Sequence, residues 1–152
     1  MALLTIYKGL IDEIITQLKT IDPELKDGTD LQGNPDKRVT KWNTVRKPER
    51  GRYEAEVKAG PMEAENFTTQ SSDNEFSIII DLLYYSDEFE AGFDSAMTVA
   101  EKIYDKLHLT TINSNCRNAV VTLFPGDGEL SDQNLLAIPI RIIVTCKRVI
   151  HQ

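Results

Sequence analysis

Side chains able to do chemistry are few in this chain, and their spacing is uninformative. His108 and His151 have no Cys, Ser or carboxylate placed to build a catalytic triad or a metal site. No Walker loop, dinucleotide fingerprint or nucleophile elbow occurs. Carboxylates gather in PGDGELSD (residues 125–132, with Asp127, Glu129 and Asp132) and in DGTDLQGNPD (27–36). Oxygen-rich loops of this kind can hold calcium, but neither follows the ligand order of an EF-hand, and solvated turns are the plainer reading. The cluster Ser86-Asp87-Glu88-Phe89-Glu90 resembles a paired-carboxylate site, yet acidic residues in a first helical turn are favoured by the helix dipole in any case. Asn66-Phe67-Thr68 matches a glycosylation acceptor in a chain with no other sign of secretion. Cys116 and Cys146 lie 30 residues apart with no partner at metal-ligand spacing, and read as two unpaired core thiols. The expectation is a protein without catalytic centre, cofactor or metal.

One segment does stand out by charge. KRVTKWNTVRKPERGR, residues 37–52, contains Lys37, Arg38, Lys41, Arg46, Lys47, Arg50 and Arg52, with the only tryptophan, Trp42, among them. Over residues 34–52 these seven bases face Asp36 and Glu49, a net of +5 in a chain of net −7, so the remainder carries −12. Nucleic acid is the obvious partner for such a patch. The overall acidity opposes long-range attraction to phosphate, and one Trp with Tyr53 makes a thin stacking platform. Segregated charge suits docking of the basic segment on an acidic protein surface, including a second copy of the chain, with Trp42 as anchor. A solvated loop without a role is the plain alternative.

The elements that must carry this segment follow from apolar periodicity. Leu3, Leu4, Tyr7, Leu10, Ile11, Ile14, Ile15, Leu18 and Ile21 recur at three- and four-residue steps, predicting a helix over 3–20 that ends before Asp22-Pro23. Residues 22–52 then hold no sustained period and read as a long, flexible basic loop, with at most one short strand near Val39 to Val45. Tyr53, Ala55, Val57 and Ala59 alternate with charged residues as a half-buried strand. Gly60-Pro61 predicts a turn, Ala64 to Thr69 a weaker strand, and SSDN (71–74) a second turn. Phe76 to Tyr85 is apolar on both faces and predicts the central strand. A second helix is expected over 90–108, then strands over Ala119 to Phe124 and Leu136 to Ile150. In the last, Ile138, Ile140, Ile142, Val144 and Cys146 share a face, and Pro139 marks an edge or a bulge. The fold class is α+β: an antiparallel sheet of four to five strands with two helices packed on one face.

At 152 residues, 41% apolar and 27% charged, the chain fits one domain over 1–152. No apolar run approaches the roughly 20 residues needed to cross a bilayer, and Asp12 and Glu13 come too early for a secretory signal, so a soluble, intracellular protein with no membrane partner is expected.

With the elements in order, the opening helix LLTIYKGLIDEIITQL, the passage FSIIIDLLYYSDEFEAGFDSAMTVAEKIYDKL and the closing strand LAIPIRIIVTCKRVI together resemble the tail terminator (tail completion) family of long-tailed bacteriophages and prophages. The resemblance covers roughly half the chain. It implies a structural assembly protein that forms a hexameric ring on the tail tube, ends tube polymerisation and supplies the surface that head-completion or connector proteins join. The implied partners are further copies of itself, the tail-tube protein and those head-side proteins, with DNA only passing through an acidic lumen. Assembly in the host cytoplasm and residence in the virion follow. Other neck or head-completion proteins of the same junction, or a small nucleic-acid-binding module using 37–52, are the alternatives.

Overall fold

The computed structural model describes residues 3–41, 49–66, 71–114, 116–125, 129–130 and 136–151. In chain order the elements are α1 (Leu3–Leu18), β1 (Gly28–Thr29), β2 (Pro35–Asp36), β3 (Val39–Lys41), β4 (Tyr53–Asn66), β5 (Ser71–Ser86), α2 (Phe89–Leu107), β6 (Val120–Pro125), β7 (Glu129–Leu130) and β8 (Leu136–His151). The main sheet has the order β3-β4-β5-β8-β6, with β7 also on β8, and β1 and β2 form a separate hairpin. Every pairing in it is antiparallel except β3 on β4. The α+β class therefore stands: β3 is the short strand expected near Val39, and its parallel pairing with β4 requires a crossover before β4 can run alongside it.

Register explains the core. Even-numbered residues of β5 face even-numbered residues of β8, pairing Phe76 with Cys146, Ile78 with Val144, Ile80 with Ile142 and Leu82 with Ile140. All eight are buried, and Ala55, Val57 and Val121 extend the same face into β4 and β6. Both helices lie on it, in one continuous cluster with Leu10, Ile14 and Leu18 of α1 and Ala96, Ala100, Ile103 and Leu107 of α2. The close seating of α2 needs Gly92, since a Cβ there would collide with the side chains of Ile138 and Ser86. The helix α1 is stitched down by Tyr7, whose hydroxyl donates to the Gly60 carbonyl (2.9 Å) and accepts the Ser77 N–H (3.2 Å).

Several local expectations are corrected. Gly60-Pro61 is no turn: β4 runs through it with a register shift between Ala59 and Met62, a bulge that Tyr7 spans. SSDN belongs to β5, because β4 and β8 supply pairing partners on both sides of it. Residues 67–69 and 42–45 of the expected strands fall outside the described residues. Pro139 is not on an edge strand. It pairs with Leu83 of β5, and on its other side β8 passes from its β6 partners, ending at Ile140, to its β7 partners, beginning at Ala137. The missing N–H thus falls at a break in the ladder. The two cysteines are not free thiols. Cys116 and Cys146 form a buried disulfide with Cα atoms 5.3 Å apart, because pairing of Val120 with Thr145 brings the chain before β6 beside the end of β8's buried face. Among the described residues, no helix is long and apolar enough to cross a membrane.

Candidate interaction surface

The basic segment begins on the β1–β2 hairpin and ends at β4, and its described residues fall into three settings. Arg52 is inside the protein. Its guanidinium forks onto Asp36, with Nη1 to Oδ2 at 2.8 Å and Nη2 to Oδ1 at 2.7 Å, while Nε donates to Glu54 Oε1 at 2.7 Å. Glu54 also accepts a longer hydrogen bond from the Tyr85 hydroxyl. Arg52, Asp36 and Glu54 are all buried. The Arg52 hydrogen bonds hold the Asp36 carboxyl down at about 2, outweighing its burial, and Arg52 is in turn held above its ordinary value. Counting Arg52 among the docking residues is corrected: a bidentate, desolvated pair is committed to the fold.

Arg38, Lys41 and Arg50 are paired to the body of the same chain at its surface. Arg38 Nε donates to Asp36 Oδ2 at 3.2 Å, Lys41 pairs with Asp12 of α1, and Arg50 Nη2 reaches Asp87 Oδ2 at 3.3 Å. Lys37 is exposed and makes no ion pair among the described residues. Trp42, Arg46 and Lys47 lie outside the described residues. Both ends of the segment are therefore docked in cis, which a reading of charge along the sequence missed, because the acidic partners come from α1, the hairpin and the start of α2.

The hairpin itself is well tied. Asp30 Oδ1 accepts the backbone N–H groups of Gln32 (2.9 Å) and Asn34 (2.8 Å), and the Asp30 carbonyl accepts Gly33 N–H, with Gly33 at φ +83° where a side chain would be strained. This accounts for DGTDLQGNPD without a cation: Asp30 caps a turn, Asp36 holds Arg52, and Asp27 meets Lys19 at 3.0 Å. Leu31, at the tip, is fully exposed. An apolar-floored groove of about 310 Å³ opens nearby between α1 and β3, lined by Ile15, Val39, Thr40 and the lysines Lys19, Lys37 and Lys41. A second cleft of about 460 Å³, between the hairpin and Glu49, is lined by both signs of charge, including Asp36, Arg38 and Arg52.

The sheet face away from the helices carries a further charged row. Asp81 accepts from Arg141 Nε (2.9 Å) and Lys58 Nζ (2.8 Å), and although burial opposes it, these bonds keep its pKa below the ordinary value. Asp81 stands opposite Arg141 of β8, a cross-strand pair that stabilises pairing without any substrate, and opposite Glu56 of β4, a like-charge pair offset by Lys58, which reaches both carboxylates.

The other chemically suggestive residues serve the fold. His108 Nδ1 accepts Val121 N–H at 3.1 Å, and its ring stacks on Tyr104. In the Ser86–Glu90 cluster Asp87 pairs with Arg50, and Ser86 Oγ accepts Glu88 N–H. No grouping of three metal-ligating side chains occurs among the described residues, and Asp127 and Asp132 lie outside them.

No protein-family model matches the chain. No curated protein matches it. Among solved structures, a chain from the virion of a native gene transfer agent (GTA) particle is similar over 88% of this chain and 92% of its own, at 17% identity and a TM-score of 0.46. The two are alike in outline only.

Proposed function

We propose that this chain is a structural assembly protein of a phage-like particle, acting without catalysis as a tail terminator: a ring that caps the tail tube, ends its polymerisation and offers a surface to head-side proteins. The observation that carries this reading is the order and placement of elements. A leading helix, a central strand passing into a second helix and a closing strand, the stretches on which the family resemblance rests, form one layer of two helices on one sheet face. A buried disulfide fits a working life in a virion, outside the reducing cytosol where such bonds are rare. The cis pairing of Arg38, Lys41, Arg50 and Arg52 leaves fewer free charges for phosphate than the sequence suggests, which favours a protein partner over nucleic acid.

The test is functional and direct. Purified chain is added to polymerising tail-tube protein, and tube lengths and tube ends are imaged by electron microscopy. Shortened tubes ending in a ring support the proposal, and unchanged tubes with bare ends overturn it. Steep, salt-dependent binding of duplex DNA in the absence of any effect on tubes would favour the nucleic-acid reading instead.

A further inference from the structure

The tip of the β1–β2 hairpin and the groove beside β3 are complementary to one another. Leu31 is the fully exposed large apolar side chain among the described residues, and it sits on a turn whose Gln32, Gly33 and Asn34 N–H groups all bond to Asp30. Single exposed leucines are ordinary on protein surfaces. This one differs in being held on an ordered projection, so that burying it against a partner orders little additional chain. The base of the hairpin is equally fixed, through Asp36 to the buried Arg52. The groove supplies what the tip lacks. Its floor is Ile15 and the buried Val39, its volume of about 310 Å³ exceeds that of a leucine side chain, and its rim carries Lys19, Lys37 and Lys41. Lys19 and Lys41 are neutralised by Asp27 and Asp12, which leaves the charge of Lys37 for an incoming acid. The tip brings one, Asp30, beside Leu31.

We infer that Leu31 of one copy inserts into the Ile15–Val39 groove of the next, with Asp30 drawn to Lys37. This rests on the ring reading above and supplies a contact for it. Tip and groove are different surfaces of one chain, so the contact is heterologous, and successive copies close into a ring wherever the rotation between them allows. A leucine moved from water into an apolar groove strengthens association by about ten- to hundredfold.

Two measurements test the contact, each on the full chain, free in solution and on tubes of the tail-tube protein. In the first, a Gln32→Cys variant and a Lys19→Cys variant, which keep Leu31, Asp30 and Lys37, are mixed under mild oxidation. A cross-link that appears in the mixture, and in neither variant alone, supports the inference. Its absence while wild-type chains still associate overturns it. In the second, Leu31→Ser is compared with wild type by sedimentation and by ring counts on tube ends. The expected result is association weakened about ten- to hundredfold with an unchanged melting temperature, since Leu31 is fully exposed in its own fold. Equal association of variant and wild type overturns the inference and leaves the ring reading standing. Wild-type chains that associate neither free nor on tubes overturn both. Rings that form normally from Leu31→Ser but fail to seat on tubes would assign the tip to the tube protein, and this too overturns a contact between copies.

Discussion

On the covered face of the sheet, Ile78, Ile80 and Leu82 of β5 meet Val144, Ile142 and Ile140 of β8 across the ladder, and two helices close over them. In the 22–52 connection the chain is held instead by Arg52 on Asp36 and Glu54, by Asp30 on its own turn, by Lys41 on Asp12 within α1 and by Arg50 on Asp87 just before α2. The first region relies on many non-directional contacts, each replaceable by something of similar shape. The second relies on a few directional bonds between charged groups, where geometry cannot be traded for bulk. Single substitutions should therefore separate the two regions more sharply than burial alone would predict.

The largest effect is expected at Arg52. Arg52→Ala removes the guanidinium shared by the buried Asp36 and Glu54, leaving Arg38 beside Asp36, and should cost about 3–5 kcal/mol, lowering the melting temperature by on the order of 10 °C. Acid offers an independent check. Asp36 has its pKa lowered from 3.8 to about 2 by Arg52, so its contribution is complete above the unfolded value and is lost as pH falls through the folded one. In wild type, stability should fall between about pH 5 and pH 2 as Asp36, and Asp81 in the same direction, take up protons. In Arg52→Ala the Asp36 carboxyl loses the hydrogen bonds that hold its pKa down, so the deficit against wild type should narrow as pH falls. A deficit independent of pH would mean that the guanidinium acts through packing alone.

Next is the disulfide, which belongs to the covered face. It closes a loop of 30 residues around β6 and β7, so Cys116→Ala with Cys146→Ala should cost about 2–4 kcal/mol by denaturant titration. Thiol labelling of native protein should find no reactive cysteine, and labelling after denaturation with reductant should find both. Labelling without reductant in denaturant would refute the pairing.

How far each region could be read from sequence follows the same division. Alternation in Ile138 to Cys146 specified which face is buried, and the apolar run of Phe76 to Tyr85 specified the central strand, because strand patterning is local and survives any register. Helix limits came within about two residues for the same reason. The disulfide was not legible. A separation of 30 residues says nothing of proximity, and only the pairing of Val120 with Thr145 brings the two cysteines together. Gly60-Pro61 and SSDN carry real turn chemistry that tertiary pairing overrode, since β5 and β8 had backbone partners to offer there. Arg52 was counted with the surface bases because its neighbours in sequence are basic. Its partner Asp36 lies 16 residues away, across a hairpin that composition alone reads as loop. Leu31 was the one signal available for the candidate contact, a lone leucine in a polar stretch.

A smaller effect should distinguish shape from geometry. Ile80→Val removes one methylene from a fully buried position in the core and should cost only about 0.5–1.5 kcal/mol. Arg52→Lys keeps the charge but loses the planar fork that spans Asp36 and Glu54, and it should cost more than Ile80→Val in the same melting experiment. If the two conservative changes cost the same, the buried network contributes charge and not geometry, and the contrast between the regions weakens.

The smallest effect is expected at Lys37, the described base of the segment that is both exposed and without an ion pair. Lys37→Ala should change stability by no more than about 0.5 kcal/mol, within the spread of ordinary surface positions. Its neighbours Arg38 and Lys41 spend their charge within the chain, so removing Lys37 isolates the part of the basic segment that the fold does not consume. A matching small change in self-association would place the segment's function beyond Lys37, in Trp42, Arg46 and Lys47. A loss of association with stability intact would show that the charge left over by folding is the charge used between subunits.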